Sequence, residues 1–444
     1  MNALAPFRTD SRSSPTGRGR AKLKVALVLT RAITDDSGFG RVKTLREIRR
    51  ALREEFDLTE LRVSSLLETR RLSDMVTVAT RWLVSLLIGR PIPLQTILYS
   101  GTTEIARLAD ELCAQNFDAI YFDSVRCQLL MRKVRRRMPA VHMVADLDDL
   151  MSRRMEQLAL KRVPLSLGFL RHLFPKPLQW LAQGPLSGLL ERYEAAALRK
   201  AELEIAKSAQ AVVLVSSSER DILRLKLAPE ARRLIHSVPP PAQTCRDVPV
   251  VAPPYRFVFV GSDKLAQNRL SIDFLLRLWE QLGPSADLHI YGRQERTLPR
   301  VRGVHWHGYV EEVSDAYTSG SILLLPCLLP GGIKTKVIEA WAFGCPVLGN
   351  ALAFEGIEAP NYPLTLSEDQ WTHHLTHPDD HSQEWLAAAR LGNAFVRTTL
   401  TTERYATEWR RLVTPAAGAL RPNPARTAPW LVPVGGEDTH DIPR

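Results

Sequence analysis

The sequence predicts two consecutive α/β domains, each built on a parallel sheet, and three observations carry that expectation. Short apolar runs of strand length alternate with stretches of helical apolar spacing along most of the 444 residues. The alternation breaks once, at SVPPPAQTCRDVPVVAPPY (237–255), where six prolines in nineteen residues exclude regular structure and read as a linker. Beyond it the same alternation restarts.

Taken in order, LKVALVLT (23–30) is a strand, DDSGFG a polar glycine loop, and RVKTLREIRRALREEF a helix with Val42, Leu45, Ile48 and Leu52 at helical spacing. LTELRV is a second strand. FDAIYFD (117–123) and AVHMVADLDD (140–149) are two more, separated by the basic helical segment CQLLMRKVRRRM. AVVLVSSSERDIL (211–223) runs from a strand into a serine-capped helix. After the linker, RFVFVGS, ADLHIYG, VHWHG, SILLLP and CPVLGN read as strands, and SIDFLLRLWEQL and KTKVIEAWAFG as helices. TTERYATEWRRLV (401–413) is helical, with Tyr405, Trp409 and Leu412 on one stripe, and it lies past the point near residue 397 where the second alternation is complete. The expected organisation is a disordered basic tail (1–21), an N-terminal parallel α/β domain (22–238), a proline-rich linker (239–254) and a C-terminal parallel α/β domain (255–397). A separate helix (398–415) and a disordered proline-rich tail (416–444) complete it.

Net charge is 59 − 48 = +11, which favours anionic partners. No continuous apolar stretch precedes Val25, so no secretory signal is expected, and no run of about eighteen apolar residues predicts a membrane span. The five cysteines are scattered without a CxxC, which suits a reduced, cytosolic chain. RKVRRR (132–137) has no accompanying nucleic-acid motif; a solvated helix face or contact with anionic lipid is the expectation, and nucleic acid is not. WLVSLLIG (82–89) and 165–190 are rich in Leu, Trp and Phe with basic residues between, and suit either core packing or the bilayer interface.

GGIKTKVIEAWAFGCPVLGN (331–350) places glycines, two lysines and a carboxylate where a turn becomes a helix, expected to begin near Ile333. A helix start presents unpaired N–H groups and the positive end of the dipole to a phosphate, and glycine lets backbone approach it. Lys334 and Lys336 add cations, and Glu339, one turn on, suits two ribose hydroxyls. The same spacing also suits a plain surface pair between Lys336 and Glu339.

This stretch, with ALAFEGIE after it, resembles the C-terminal signature of the retaining GT-B glycosyltransferases of family 4, the "group 1" transferases. FVFVGSDKLAQNRLSIDFLL, LHIYGRQ and VHWHGYVEEVSDAYTSGSILLLP stand upstream in family order. The resemblance implies a GT-B fold, two Rossmann-like domains with parallel sheets facing a central cleft: 22–238 would bind the acceptor, 255–397 the nucleotide-sugar, and the helix at 398–415 would cross back to the first domain. It implies a nucleotide-sugar site of Gly261, Asn268, Gly292, Arg293, Tyr309, Val310, Gly332, Ile333, Lys334, Lys336 and Glu339. Within it Glu339 would hold ribose, Gly332 and Lys334 the diphosphate, and backbone at Tyr309 and Val310 the base. DDSGFGRVKTL stands where the family has a glycine loop near diphosphate and acceptor, which implicates Gly38, Gly40 and Arg41. There is one departure: the first glutamate of the family's Glu-x7-Glu pair falls at Gly331, as in a subgroup with a Gly-Gly-Gly-Ile turn. GRPIPLQTILYSG, FDAIYFDSVR, DLDDLMSRR and ERYEAAALRKAE are similar to exopolysaccharide-assembly members.

The activity implied is retaining transfer of a sugar from a nucleoside-diphosphate sugar to a saccharide or lipid-linked saccharide. No cofactor or metal is implied, and the place of action would be the cytoplasm or the inner face of the membrane, in contact with an anionic surface. The rival expectations are a non-catalytic subunit paired with another transferase, and a sugar-nucleotide epimerase of the same fold. Of Asp146, Asp148 and Asp149, one would orient an acceptor hydroxyl or assist its proton loss. The alternatives are a cap on the next helix and, more remotely, a DxD metal site. Asp148 and Lys334 are the catalytic candidates. His305 and His307 flank Trp306 and share a face, but no third ligand stands near them in sequence, so solvated strand histidines are expected.

Overall fold

A computed structural model describes residues 22–33, 40–161, 187–297, 299–359 and 361–416. The first domain is a six-stranded sheet of Leu23–Leu29 (β1), Phe56–Arg62 (β2), Ala119–Asp123 (β3), His142–Asp148 (β4), Ala211–Leu214 (β5) and Ile235–Ser237 (β6). All its pairings are parallel, in the order β2-β1-β3-β4-β5-β6. Parallel strands need crossovers that cover both faces with helices, so the inner strands are apolar on both sides. In β1, Ala26 and Val28 enter one core, while Val25, Leu27 and Leu29 enter the other. Helices Gly40–Arg53 (α1), Leu72–Leu87 (α2), Thr102–Ala114 (α3), Gln128–Arg137 (α4), Met151–Leu160 (α5), Ser187–Ser208 (α6) and Ser217–Leu225 (α7) surround it. Strand β2 begins at Phe56, ahead of LTELRV, because the register pairs Phe56 with Leu23.

The second domain is a five-stranded parallel sheet of Arg256–Val260 (β7), Asp287–Tyr291 (β8), Val304–Gly308 (β9), Ser321–Leu325 (β10) and Val347–Gly349 (β11), ordered β11-β10-β7-β8-β9. Ala266–Leu282 (α8), Thr335–Ala342 (α9), Glu368–Thr376 (α10) and Ser382–Thr399 (α11) accompany it. In both sheets neighbouring strands leave in opposite directions at one point, between β1 and β3 and between β7 and β10, and such switch points open crevices at strand carboxyl ends.

Residues 238–255 hold no helix or strand, yet they are anchored: Ala242 N–H donates to Leu400 (2.9 Å), Arg246 N–H to Ala342 (2.7 Å), and Val251 enters the second core. Thr402–Val413 (α12), capped by Thr401, then leaves the second domain. Its Tyr405, Trp409, Leu412 and Val413 are buried with Val25, Tyr121 and Val144 of the first domain. The Trp409 and Tyr121 rings meet edge to face at 5.7 Å, and Arg410 Nε donates to Ala51 O at 2.8 Å.

Trp409 is almost wholly enclosed. Trp409→Ala is therefore expected to cost about 3–5 kcal/mol, read as a melting temperature lower by several degrees, with Trp409→Phe intermediate. An unchanged melting temperature in both variants would show that α12 is not part of the first domain's core.

Candidate active site

The first domain's switch point gathers charge around one guanidinium. Arg41, in the first turn of α1, is almost fully enclosed. Its Nη2 lies 2.7 Å from Asp123 Oδ1 and 2.9 Å from Asp146 Oδ2, and its Nη1 lies 3.1 Å from Asp148 Oδ1. Thr30, at the end of β1, donates its N–H and hydroxyl to Asp123 Oδ2 (3.2 and 2.7 Å), and the Tyr121 hydroxyl donates to Asp146 (2.7 Å). The ends of β1, β3 and β4 are thus tied to the start of α1. Burial pushes the Asp123 carboxyl up, but Arg41 and Thr30 more than offset it and leave it below the usual range. Asp148 ends up the other way: burial raises it to about 6, with Asp149 and Asp146 adding to the rise and Arg41 opposing it. Its side chain is 36% exposed and its φ is +67°, a left-handed conformation that aspartate tolerates better than most residues. Neither Asp148 nor Asp149 caps the following helix, which corrects that alternative: Leu150 holds the N-cap position of α5.

The second domain's switch point is lined by glycine and lysine. Lys336 Nζ donates to Asn268 Oδ1 (2.6 Å) and lies 4.7 Å above the Phe259 ring. A Cβ at Gly261 would stand 2.7 Å from that ammonium and 2.9 Å from the Asn268 amide, so glycine keeps the space. Gly292 (φ +125°) packs directly on Gly261, where its Cβ would meet backbone at 2.6 Å. Burial lowers Lys336 to about 8. Glu339 is half-buried, and burial raises its carboxyl while Lys43 of α1 and Lys336 oppose the rise. Among the described residues its carboxylate accepts no hydrogen bond. Arg293 lies 5.7 Å over the Tyr309 ring, and both stand with Val310 at the carboxyl ends of β8 and β9.

Three expectations need correction or placement. The helix begins at Thr335, not near Ile333, because Ile333 packs on the second core and Lys334 keeps extended backbone. Gly332 and Lys334 already have partners within the protein: Gly332 N–H donates to Glu219 Oε1 (3.1 Å), and Lys334 Nζ donates one of its hydrogens to Gly331 O (2.6 Å). Gly40 opens α1 beside Arg41, whereas Gly38 lies outside the described residues.

Glu219 belongs to the first domain, at the start of α7, and also accepts from Leu150 N–H (3.2 Å). Burial, then Asp149, raises it to about 7. Around it Arg154 pairs with Asp149, Arg153 with Glu355 (2.5 Å), and the Ser217 hydroxyl donates to Gly356 O (3.2 Å). The carboxyl ends of the two sheets therefore face each other and touch through the glycine turn. Sequence reading missed Glu219, Arg154, Asp123 and Lys43. Only the serine-capped ERD and the DLDDLMSRR run hinted at the first two, since nothing local shows that they meet another domain.

Residues 254–389 match the family described as Glycosyl transferases group 1. The match lies within the second domain. No curated protein matches the chain. Sucrose-phosphate synthase from Thermosynechococcus elongatus is similar in structure, with a TM-score of 0.56 at 12% identity over 88% of this chain and 98% of that one. HepE from Anabaena, solved in complex with UDP-glucose, gives 0.53 at 11% identity over 88% and 98%. The chain spans 58% of the length of TarM, with 70% of this chain covered, 11% identity and a TM-score of 0.49. At such identities the likeness to the first two is one of fold, and that fold is GT-B. The matched region contains the whole glycine–lysine cluster.

Arg41 is the cation that neutralises buried Asp123 and Asp146. Arg41→Met is expected to cost about 3–5 kcal/mol near neutral pH. Without the guanidinium, burial would leave the Asp123 carboxyl raised, so the deficit should shrink as pH falls and it protonates. Melting curves of both proteins between pH 8 and pH 5 test this; a gap that widens toward pH 5 would contradict the assignment.

Proposed function

We propose that the protein is a GT-B glycosyltransferase that moves a sugar, with retention, from a nucleoside-diphosphate sugar to a saccharide or lipid-linked saccharide in surface or extracellular polysaccharide assembly. The observation that carries this reading is the convergence at the β7–β10 switch point. Buried Lys334, half-buried Lys336, the close Gly261–Gly292 contact and a Glu339 carboxylate that accepts no hydrogen bond among the described residues stand near Glu219, Arg154 and Lys43 of the other domain. The complex of HepE with UDP-glucose, a protein of the same fold, supports a nucleotide-sugar donor.

In this reading Glu339 accepts two ribose hydroxyls, and backbone at Tyr309 and Val310 meets the base. The diphosphate displaces the Glu219 carboxylate from Gly332 N–H and the Gly331 carbonyl from Lys334. As the glycosidic bond breaks, negative charge gathers on the leaving diphosphate, and preorganised cations and N–H groups stabilise it. Asp148, held by Arg41 and exposed on one side, is ionised at neutral pH and orients the acceptor hydroxyl. The reading needs no cofactor.

It also places the protein on the inner face of a membrane. No described helix is long and apolar enough to cross one. Helix α2 exposes Leu72, Val76, Leu83 and Leu87, and beside it opens a cavity of about 480 Å³ lined by Arg81, Arg90, Arg132, Lys133 and Arg136. Apolar side chains flanked by such cations suit an anionic bilayer surface.

Two experiments follow. Glu339→Ala should weaken UDP or GDP binding at least tenfold by calorimetry, since each charge-assisted hydrogen bond is worth about 1.5–3 kcal/mol; unchanged affinity for both would remove the ribose role. Vesicles containing phosphatidylglycerol should sediment the protein while neutral vesicles do not, and Arg132→Gln with Arg136→Gln should reduce the bound fraction. Equal binding to both vesicle types would remove the electrostatic part of the membrane reading.

A further inference from the structure

We infer that Asp287, His289 and His305, with His307 beside them, form a binding site for a divalent transition-metal ion of the zinc class on the outer edge of the second domain. This site stands apart from the transferase reading. The ligands come from two adjacent parallel strands: His289 of β8 pairs in register with His305 of β9. Side chains two apart on a strand share a face, so Asp287 and His289 project with His305 and His307. Sequence spacing showed only the His305–His307 pair; the neighbouring strand supplies the missing ligands.

The geometry is already assembled. One ligand atom from each of Asp287, His289 and His305 lies within 4.8 Å of the others. His305 Nε2 lies 2.8 Å from Asp287 Oδ2, and His289 Nδ1 lies 2.8 Å from His307 Nε2. Each of these contacts is a shared proton that a metal ion would replace. The rings of His289 and His305 stack at 4.9 Å, and those of His289 and His307 at 5.1 Å. Imidazole with carboxylate is the donor set of zinc, nickel and copper rather than of magnesium or calcium. Asp287 and His305 are exposed, so the site is open to solvent. Arg256, the cation facing it, is held by Thr318 Oγ1 (2.9 Å) and the Tyr291 hydroxyl.

A second histidine cluster fails the test that this one passes. His374, His381 and Glu384 are as close together, but the Trp385 indole N–H donates to His374 Nδ1 (3.0 Å). A neutral ring that accepts at Nδ1 carries its proton on Nε2, so His374 has no lone pair there for a metal. By contrast, the bonded partners of His289 and His305 are an imidazole and a carboxylate, which can themselves turn to a metal ion.

The test uses the full-length protein, stripped of metal. Titration with Zn²⁺ should show one saturable site, at least tenfold weaker in His289→Ala and in His305→Ala. On the wild-type protein, Zn²⁺ should protect the peptide containing His305 and His307 from carbethoxylation, read by mass spectrometry, while the peptide containing His373 and His377 stays reactive. Absence of saturable binding, binding unaltered in both variants, or protection confined to residues 373–381 would each overturn the assignment.

Discussion

The first domain's half of the cleft depends on one buried guanidinium. Arg41 joins Asp123 at the end of β3 to Asp146 and Asp148 at the end of β4, and Asp123 in turn holds Thr30 at the end of β1. Isolated carboxylates in such a place would carry a desolvation cost of several kcal/mol each. The same partnership that stabilises Asp123 and Asp146 leaves Asp148 differently placed, because its side chain reaches the cleft and its titration sits near pH 6. A buried pair and a part-exposed carboxylate thus share one cation, and Asp148 has the further repulsion of Asp149 and Asp146.

The glycine turn has a structural reason for departing from the family's pair of glutamates. Gly331 has φ +121° and Gly332 φ +60°, both in the left-handed half that side chains avoid. A side chain at 331 would start 3.7 Å from Arg154 Nε and 3.8 Å from Glu219 Oε1, and one at 332 would start 3.5 Å from Asp149 Oδ2. A glutamate at 331 would stand on a strained backbone, between the Arg154 guanidinium and the Glu219 carboxylate. In its place a carboxylate arrives from the other domain, since Glu219 bonds the backbone of this turn.

The parallel α/β architecture was legible because buried strands and amphipathic helices leave different periods in the sequence. Val25, Leu27 and Leu29 against Val42, Leu45 and Ile48 show both. The glycine–lysine cluster was legible for a local reason: Lys334, Lys336 and Glu339 are close in sequence, and Gly261, Asn268 and Gly292 lie in the segments that resemble the transferase family. Hydrogen bonds between distant segments were not legible. Glu219 meets Gly332 across 113 residues, and Asp123 meets Arg41 across 82, with no periodic signal to connect them. The same limit hid the relation between His289 and His305, which depends on strand order rather than spacing.

The two sides of the cleft carry opposite chemistry for a reason that follows from the fold. Each switch point exposes the carboxyl ends of parallel strands and the amino ends of the helices that follow, which are electropositive. In the second domain Lys334 and Lys336 add to that field, and burial keeps both below their ordinary range, so each is poised to gain from a nearby anion. In the first domain three aspartates oppose the field and Arg41 balances part of their charge. A substrate spanning the two would therefore meet cations at its phosphates and carboxylates at its hydroxyls. That polarity is what transfer of a sugar away from a diphosphate requires, because charge develops on one side while a proton leaves on the other.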